Sequence, residues 1–137
     1  MDKFVVHEMS MSPTLLPGDR LVAIRRPPRV GQIAVFPHPH EPGVKLVKRV
    51  VAGPGWDVRL VDTRLELTRP AGAGSVVRVP SEHRPRVWSL SNDEVFALSD
   101  AVDATRADSR MFGPLPIVSA MTVVLRYRPL RRVHRFE

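Results

Sequence analysis

The chain has 137 residues, room for one domain with a real core, and its 43% apolar and 26% charged residues fit a folded globular protein. Its 21 Lys and Arg outnumber its 14 Asp and Glu to leave a net charge of +7, and cysteine is absent, which excludes disulfides, thiolate nucleophiles and cysteine-held zinc. The longest nearly apolar run, Ile117 to Leu125, falls far short of the ~20 residues of a bilayer span. The N-terminus MDKFVVHEMS lacks the apolar centre of a signal peptide, so the expected location is cytoplasmic or peripheral to a membrane.

With 14 prolines and 8 glycines spread along the chain, no stretch survives that is long enough for an amphipathic helix. The apolar runs are short and rich in β-branched residues. In chain order they are Phe4–Val6, Leu21–Ile24, Ile33–Phe36, Val44–Ala52, Val58–Val61, Ser75–Val79, Val95–Leu98 and Thr122–Arg126. Turn clusters such as Pro17-Gly18-Asp19, Pro54-Gly55 and Gly113-Pro114 separate them, which predicts a mainly β single domain over 1–137. The less regular piece at about 69–85 reads as an inserted β flap, and 126–137 as a basic C-terminal tail.

Two segments carry chemistry. Side chains alternate across a strand, so Val44, Leu46, Lys48, Val50 and Ala52 share one face. Lys48 is the one charge on it. Such a lysine keeps its charge at the rim, finds a partner, or loses its proton; a neutral lysine is a competent general base. Only Lys3, Lys45 and Lys48 are lysines, so each needs a reason. Ser10 lies in Glu8-Met9-Ser10-Met11-Ser12-Pro13-Thr14-Leu15, a strand end running into a tight turn. A hydroxyl there is a turn former, or a nucleophile if a base stands beside it.

Together these segments resemble the signal peptidase I family of serine/lysine proteases. The carrying residues are Ser10-Met11, Pro13-Thr14-Leu15 and Gly18-Asp19; then Lys48-Arg49-Val50-Val51 before Pro54-Gly55; then Ser99-Asp100-Ala101 and Asp108-Ser109-Arg110-Met111-Phe112-Gly113-Pro114. The blocks are in family order and span most of the chain. The resemblance implies a complex, barrel-like β core of the signal peptidase/LexA type. It implies Ser10 as nucleophile and Lys48 as general base, with Asp100, Asp108 and Arg110 in support and no cofactor. The implied activity is serine endopeptidase removal of a leader or propeptide, from polypeptides with small residues before the cut. Within the family the chain is similar to compact, anchorless bacterial members such as the maturation proteases for nickel-type superoxide dismutase.

Three departures stand out. Glu8 replaces the small residue found two positions before the family's nucleophile, and loss of one oxyanion donor costs about 10²–10³ in rate. Ser99-Asp100-Ala101 replaces Gly-Asp-Asn, with one extra residue before Asp108. The family serine that orients the lysine has no exact counterpart, and Thr105 is the nearest hydroxyl.

Other readings fit less of the chain. A catalytically inactive peptidase fold used as a binding module is the runner-up. The basic tail suits peripheral contact with an anionic membrane. Nucleic acid is not an expected partner, since no helix-turn-helix or RNA-recognition signature accompanies the charge. His38-Pro39-His40-Glu41 has metal-ligand residue types, but its prolines mark an exposed loop and no H-E-x-x-H helix is present.

Overall fold

A computed structural model describes residues 1–129 and 133–136. The strands are β1 (Asp2–Val5), β2 (Arg20–Ile24), β3 (Ile33–Pro37), β4 (Lys45–Ala52), β5 (Asp57–Thr68), β6 (Gly74–Ser89), β7 (Glu94–Leu98), β8 (Leu115–Pro116), β9 (Met121–Tyr127) and β10 (Val133–Arg135). One short helix, α1 (Ser109–Phe112), lies between β7 and β8. The fold is mainly β, and every strand pairing is antiparallel.

The principal sheet runs β1-β2-β9-β3-β4-β7-β8, with β10 on β9. β3 is central, and its two faces enter different cores. Ile33 and Val35 pack with Met11, Leu15, Leu21 and Val123, while Ala34 and Phe36 pack with Leu46, Val50, Val95 and Leu115. That is why Ile33–Phe36 reads as a continuous apolar run rather than an alternating one. β4 alternates instead, with Leu46, Lys48, Val50 and Ala52 buried.

β5 and β6 form a separate two-stranded ribbon between β4 and β7. It is wider than the flap expected at about 69–85: that piece is the turn and most of the returning strand of a hairpin running from Asp57 to Ser89. Register shifts on either side of Asp62 accommodate Pro80 and Pro85, prolines that an uninterrupted ladder would reject. The ribbon's apolar side chains Val58, Leu60, Leu65 and Leu67 cover Phe96 and Leu98 of β7. Trp88 lies 4.8 Å from Phe96, ring centre to ring centre. Polar ties fix it further: Arg86 Nη1 donates to the Arg110 carbonyl at 2.8 Å, and Arg106 pairs with Glu82.

Part of the basic tail lies in the fold. β10 pairs with β9, and Phe136 packs on the Leu21 core. The rest of that tail, 130–132 and 137, falls outside the described residues. Among the described residues no helix is long and apolar enough to cross a membrane.

Candidate functional site

Ser10 sits on the loop between β1 and β2, which closes on itself. Val6 N–H donates to the Asp19 carbonyl at 2.8 Å, Gly18 N–H to the Val6 carbonyl at 2.7 Å, and Leu16 N–H to Asp19 Oδ2 at 2.8 Å. Met11 and Leu15, 1% and 0% exposed, anchor the loop in the core. Ser10 is thereby held at a buried position, 9% exposed, between two apolar anchors and the surface.

Lys48 projects from β4 and is 3% exposed, so its charge does not reach the rim. Its Nζ donates to Ser99 Oγ at 3.0 Å. Burial pushes the amine below its ordinary value of 10.5; the carboxylates of Asp108 and Glu8 pull it back up, and the Arg110 guanidinium pushes it down. Ser10 and Lys48 line one pocket of about 650 Å³, along with Glu8, Lys3, Lys45 and His38. No hydrogen bond joins the Ser10 hydroxyl to the Lys48 amine among the described residues.

The segment after β7 links these two elements. Ala101 N–H donates to the Ser10 carbonyl at 2.9 Å, and Asp100 N–H to Met11 Sδ at 3.4 Å. Asp100 holds Arg49 through two bonds of 2.8 Å, which raise the Arg49 pKa against the opposing effect of burial. Arg49 Nη1 also donates to the Gly31 carbonyl at 2.8 Å. The neighbour of Lys48 thus occupies the Asp100 carboxylate, while Ser99 faces Lys48.

Asp108 and Arg110 lie beneath, 0% and 1% exposed. Asp108 Oδ1 accepts from Arg110 N–H at 3.0 Å and Arg110 Nε at 2.9 Å; Oδ2 accepts from Arg110 Nη2 at 2.7 Å and Ser99 N–H at 3.0 Å. The remaining guanidinium donors reach the Val102 carbonyl at 2.9 Å and the Thr105 carbonyl at 2.6 Å. Both carboxylate oxygens are therefore saturated. Asp108 also caps α1, and Ser109 Oγ accepts from Ala97 N–H at 2.9 Å. The pair fixes the backbone of Ser99, and Ser99 fixes Lys48.

The hydroxyl on Lys48 is Ser99, not Thr105: Thr105 Oγ1 accepts from Ala107 N–H at 3.0 Å, a local turn bond. β7 runs beside β4, with Arg49 opposite Leu98, and so brings position 99 opposite 48. The signal was present, in that Ser99 opens the late block. At the His38 loop, Nδ1 of His38 accepts from His40 N–H and Glu41 N–H, both at 3.0 Å, and the His38 and His40 rings pack on Phe112. Among the described residues no group of three or more His, Cys, Asp or Glu could hold a metal ion.

A crystal structure of a signal peptidase I from Enterococcus faecalis V583 is similar, with a TM-score of 0.53 and 20% identity over 72% of this chain and 97% of that one; at this identity the likeness concerns the fold. No curated protein matches the chain significantly. The family model for signal peptidase, peptidase S26, matches residues 1–126, a span that takes in all the strands up to most of β9 and every residue of the Ser10–Lys48 pocket, and the chain belongs to that family.

Proposed function

We propose that this chain is a serine endopeptidase in which Ser10 attacks a peptide carbonyl and Lys48 is the general base. One observation carries the reading: a buried lysine, its ammonium disfavoured by desolvation and its Nζ held by Ser99, shares a pocket with the turn serine of the matching motif. Lys48 takes the Ser10 proton as the Oγ–carbon bond forms, then returns it to the departing amine, and water hydrolyses the acyl-enzyme. The Ser10 N–H, which has no acceptor among the described residues, is the oxyanion donor. Asp100, Asp108 and Arg110 act at one remove, as positioning residues. The substrate is a polypeptide whose leader or propeptide is removed after small side chains.

The pocket suits an extended backbone. Among the described residues β1 pairs only with β2, and Lys45–Lys48 pair only with β3, so two strand edges border the pocket. A substrate strand can add to such an edge.

A second reading, an inactive peptidase fold that binds polypeptides, is favoured by one feature: the serine and lysine are not hydrogen-bonded. Catalytic bonds are often loose without substrate, so this alone does not overturn the first. Cleavage of a diverse peptide library, followed by mass spectrometry, separates them. Cuts after small residues that vanish in both Ser10→Ala and Lys48→Ala support the endopeptidase. Folded wild-type protein that cuts nothing beyond what the variants cut leaves the binding module.

A further inference from the structure

A second cavity, of about 750 Å³, adjoins the Ser10–Lys48 pocket and shares Lys3, Phe4 and Lys45 with it. Its lining holds four cations, Lys3, Lys45, Arg25 and Arg26, against one carboxylate, Asp2. All four are exposed, and none makes an ion pair or side-chain hydrogen bond among the described residues. Elsewhere some described arginines have carboxylate partners: Arg49 with Asp100, Arg59 and Arg64 with Glu66, Arg106 with Glu82, Arg110 with Asp108, and Arg128 with Asp19. Arg20, Arg29 and Arg84 also lack an ion pair among the described residues, but they lie apart from both cavities, whereas Lys3, Lys45, Arg25 and Arg26 share one lining beside the cleft. The Arg25-Arg26 corner is also fixed, since the buried Thr122 hydroxyl donates to the Arg26 carbonyl at 2.6 Å and Arg26 N–H donates to the Ile24 carbonyl at 2.9 Å. All three lysines of the chain line these two cavities, two of them at the junction.

We propose that this cationic groove is a specificity subsite that takes an acidic segment of the polypeptide substrate. The inference rests on the endopeptidase reading above for what lies in the neighbouring cleft. Continuity of the two cavities favours a polypeptide: a strand seated along β4 beside Lys48 runs on past Lys45. Those two positions are three residues apart, about 10 Å along a strand. The favoured Asp or Glu residues therefore begin about three positions from the scissile bond. Exposed charges are weak singly, but several together bring about a tenfold preference at low salt.

The test uses a labelled extended peptide carrying a run of glutamates, its glutamine twin, and vesicles of phosphatidylserine in phosphatidylcholine. Binding is read by anisotropy or co-sedimentation on intact wild-type and Ser10→Ala protein, and cutting of both peptides is read on the wild type. The expected result is about tenfold tighter binding of the glutamate peptide, abolished by molar salt. Arg25→Glu/Arg26→Glu and, separately, Lys45→Glu remove that preference. Circular dichroism checks their folding, and the Arg26 tether is main-chain, so reversal of its side chain leaves it intact. Equal affinity for the two peptides overturns the proposal, as does a glutamate preference that survives the charge reversals. Vesicle binding that depends on Arg25 and Arg26, with no peptide preference, also overturns it and assigns the groove to a lipid surface. A glutamate preference without any cutting supports the groove and counts against the endopeptidase reading alone.

Discussion

The loop that follows β7 and the β5–β6 ribbon both join arginine to carboxylate, with opposite consequences. Asp108 and Arg110 are almost wholly excluded from water; both carboxylate oxygens accept two bonds each, and all three guanidinium nitrogens are hydrogen-bonded. On the ribbon, Glu66 meets Arg59 at 3.5 Å and Arg64 at 3.3 Å, with arginine side chains 60% and 55% exposed. Water screens the ribbon pairs, and removing either partner costs little. The buried pair has no such relief, because loss of one member leaves the other charged in an apolar setting. The comparison shows where the fold spends its charge: beneath Lys48 as fixed structure, and on the ribbon as a solvated surface.

The largest break of that contrast is Asp108→Ala. It strands Arg110 and frees the Ser99 N–H, and the expected loss is about 3–5 kcal/mol in urea unfolding. Next comes Ser99→Ala. It leaves the fold intact but lets the Lys48 amine drift, so kcat is expected to fall about 10²-fold with little change in KM. Ser99→Thr restores most of that rate, and a rate unaffected by the hydroxyl removes Ser99 from the positioning chain.

Lys48→Met sharpens the comparison in the opposite direction. The Lys48 pKa is lowered in the folded protein, so the unfolded chain holds the proton more tightly. Stability therefore rises with pH between the folded value and 10.5, and below that window burial of Lys48 is a net cost. The Met variant is expected to gain about 1 kcal/mol at pH 7, or about 4 °C in Tm, while losing cleavage. The gain shrinks as pH approaches the ordinary lysine value. In the wild type, kcat/KM is expected to rise with pH through an acid limb placed below that value, where the proposed base loses its proton, and a flat profile there would count against Lys48 as the base. The smallest effect is Glu66→Gln on the ribbon, at most about 0.5 kcal/mol. A loss comparable to that of Asp108→Ala would show that the two regions do not differ as described.

How much of this was legible in the chain varies by region. The first four strands and β7 and β9 lie within a residue or two of the apolar runs that predicted them, because all but β1 bury β-branched side chains and β1 packs Phe4 on a core. The ribbon strands exceed their runs by many residues. Their middle stretches, such as Asp62–Arg64 and Glu82–Arg86, are polar and carry no apolar period, so backbone pairing and the polar ties of Glu82 and Arg86, not an apolar face, hold them as strands. β8, β10 and α1 are too short to leave a pattern, and α1 is set by the Asp108 cap.

By itself the sequence determined the β class, the single charge on the β4 face and the family motifs, because alternation and spacing are properties of the chain. Only the tertiary structure decided which hydroxyl meets Lys48, that Arg49 rather than Lys48 takes Asp100, and that Lys3, Lys45, Arg25 and Arg26 share one cavity beside the cleft. The Lys48–Ser99 and Arg49–Asp100 contacts each span 51 positions, and the cavity cations are drawn from β1, the turn after β2 and β4. No local period records such neighbours; sheet register and burial set them, and desolvation then lowers the pKa of the Lys48 amine.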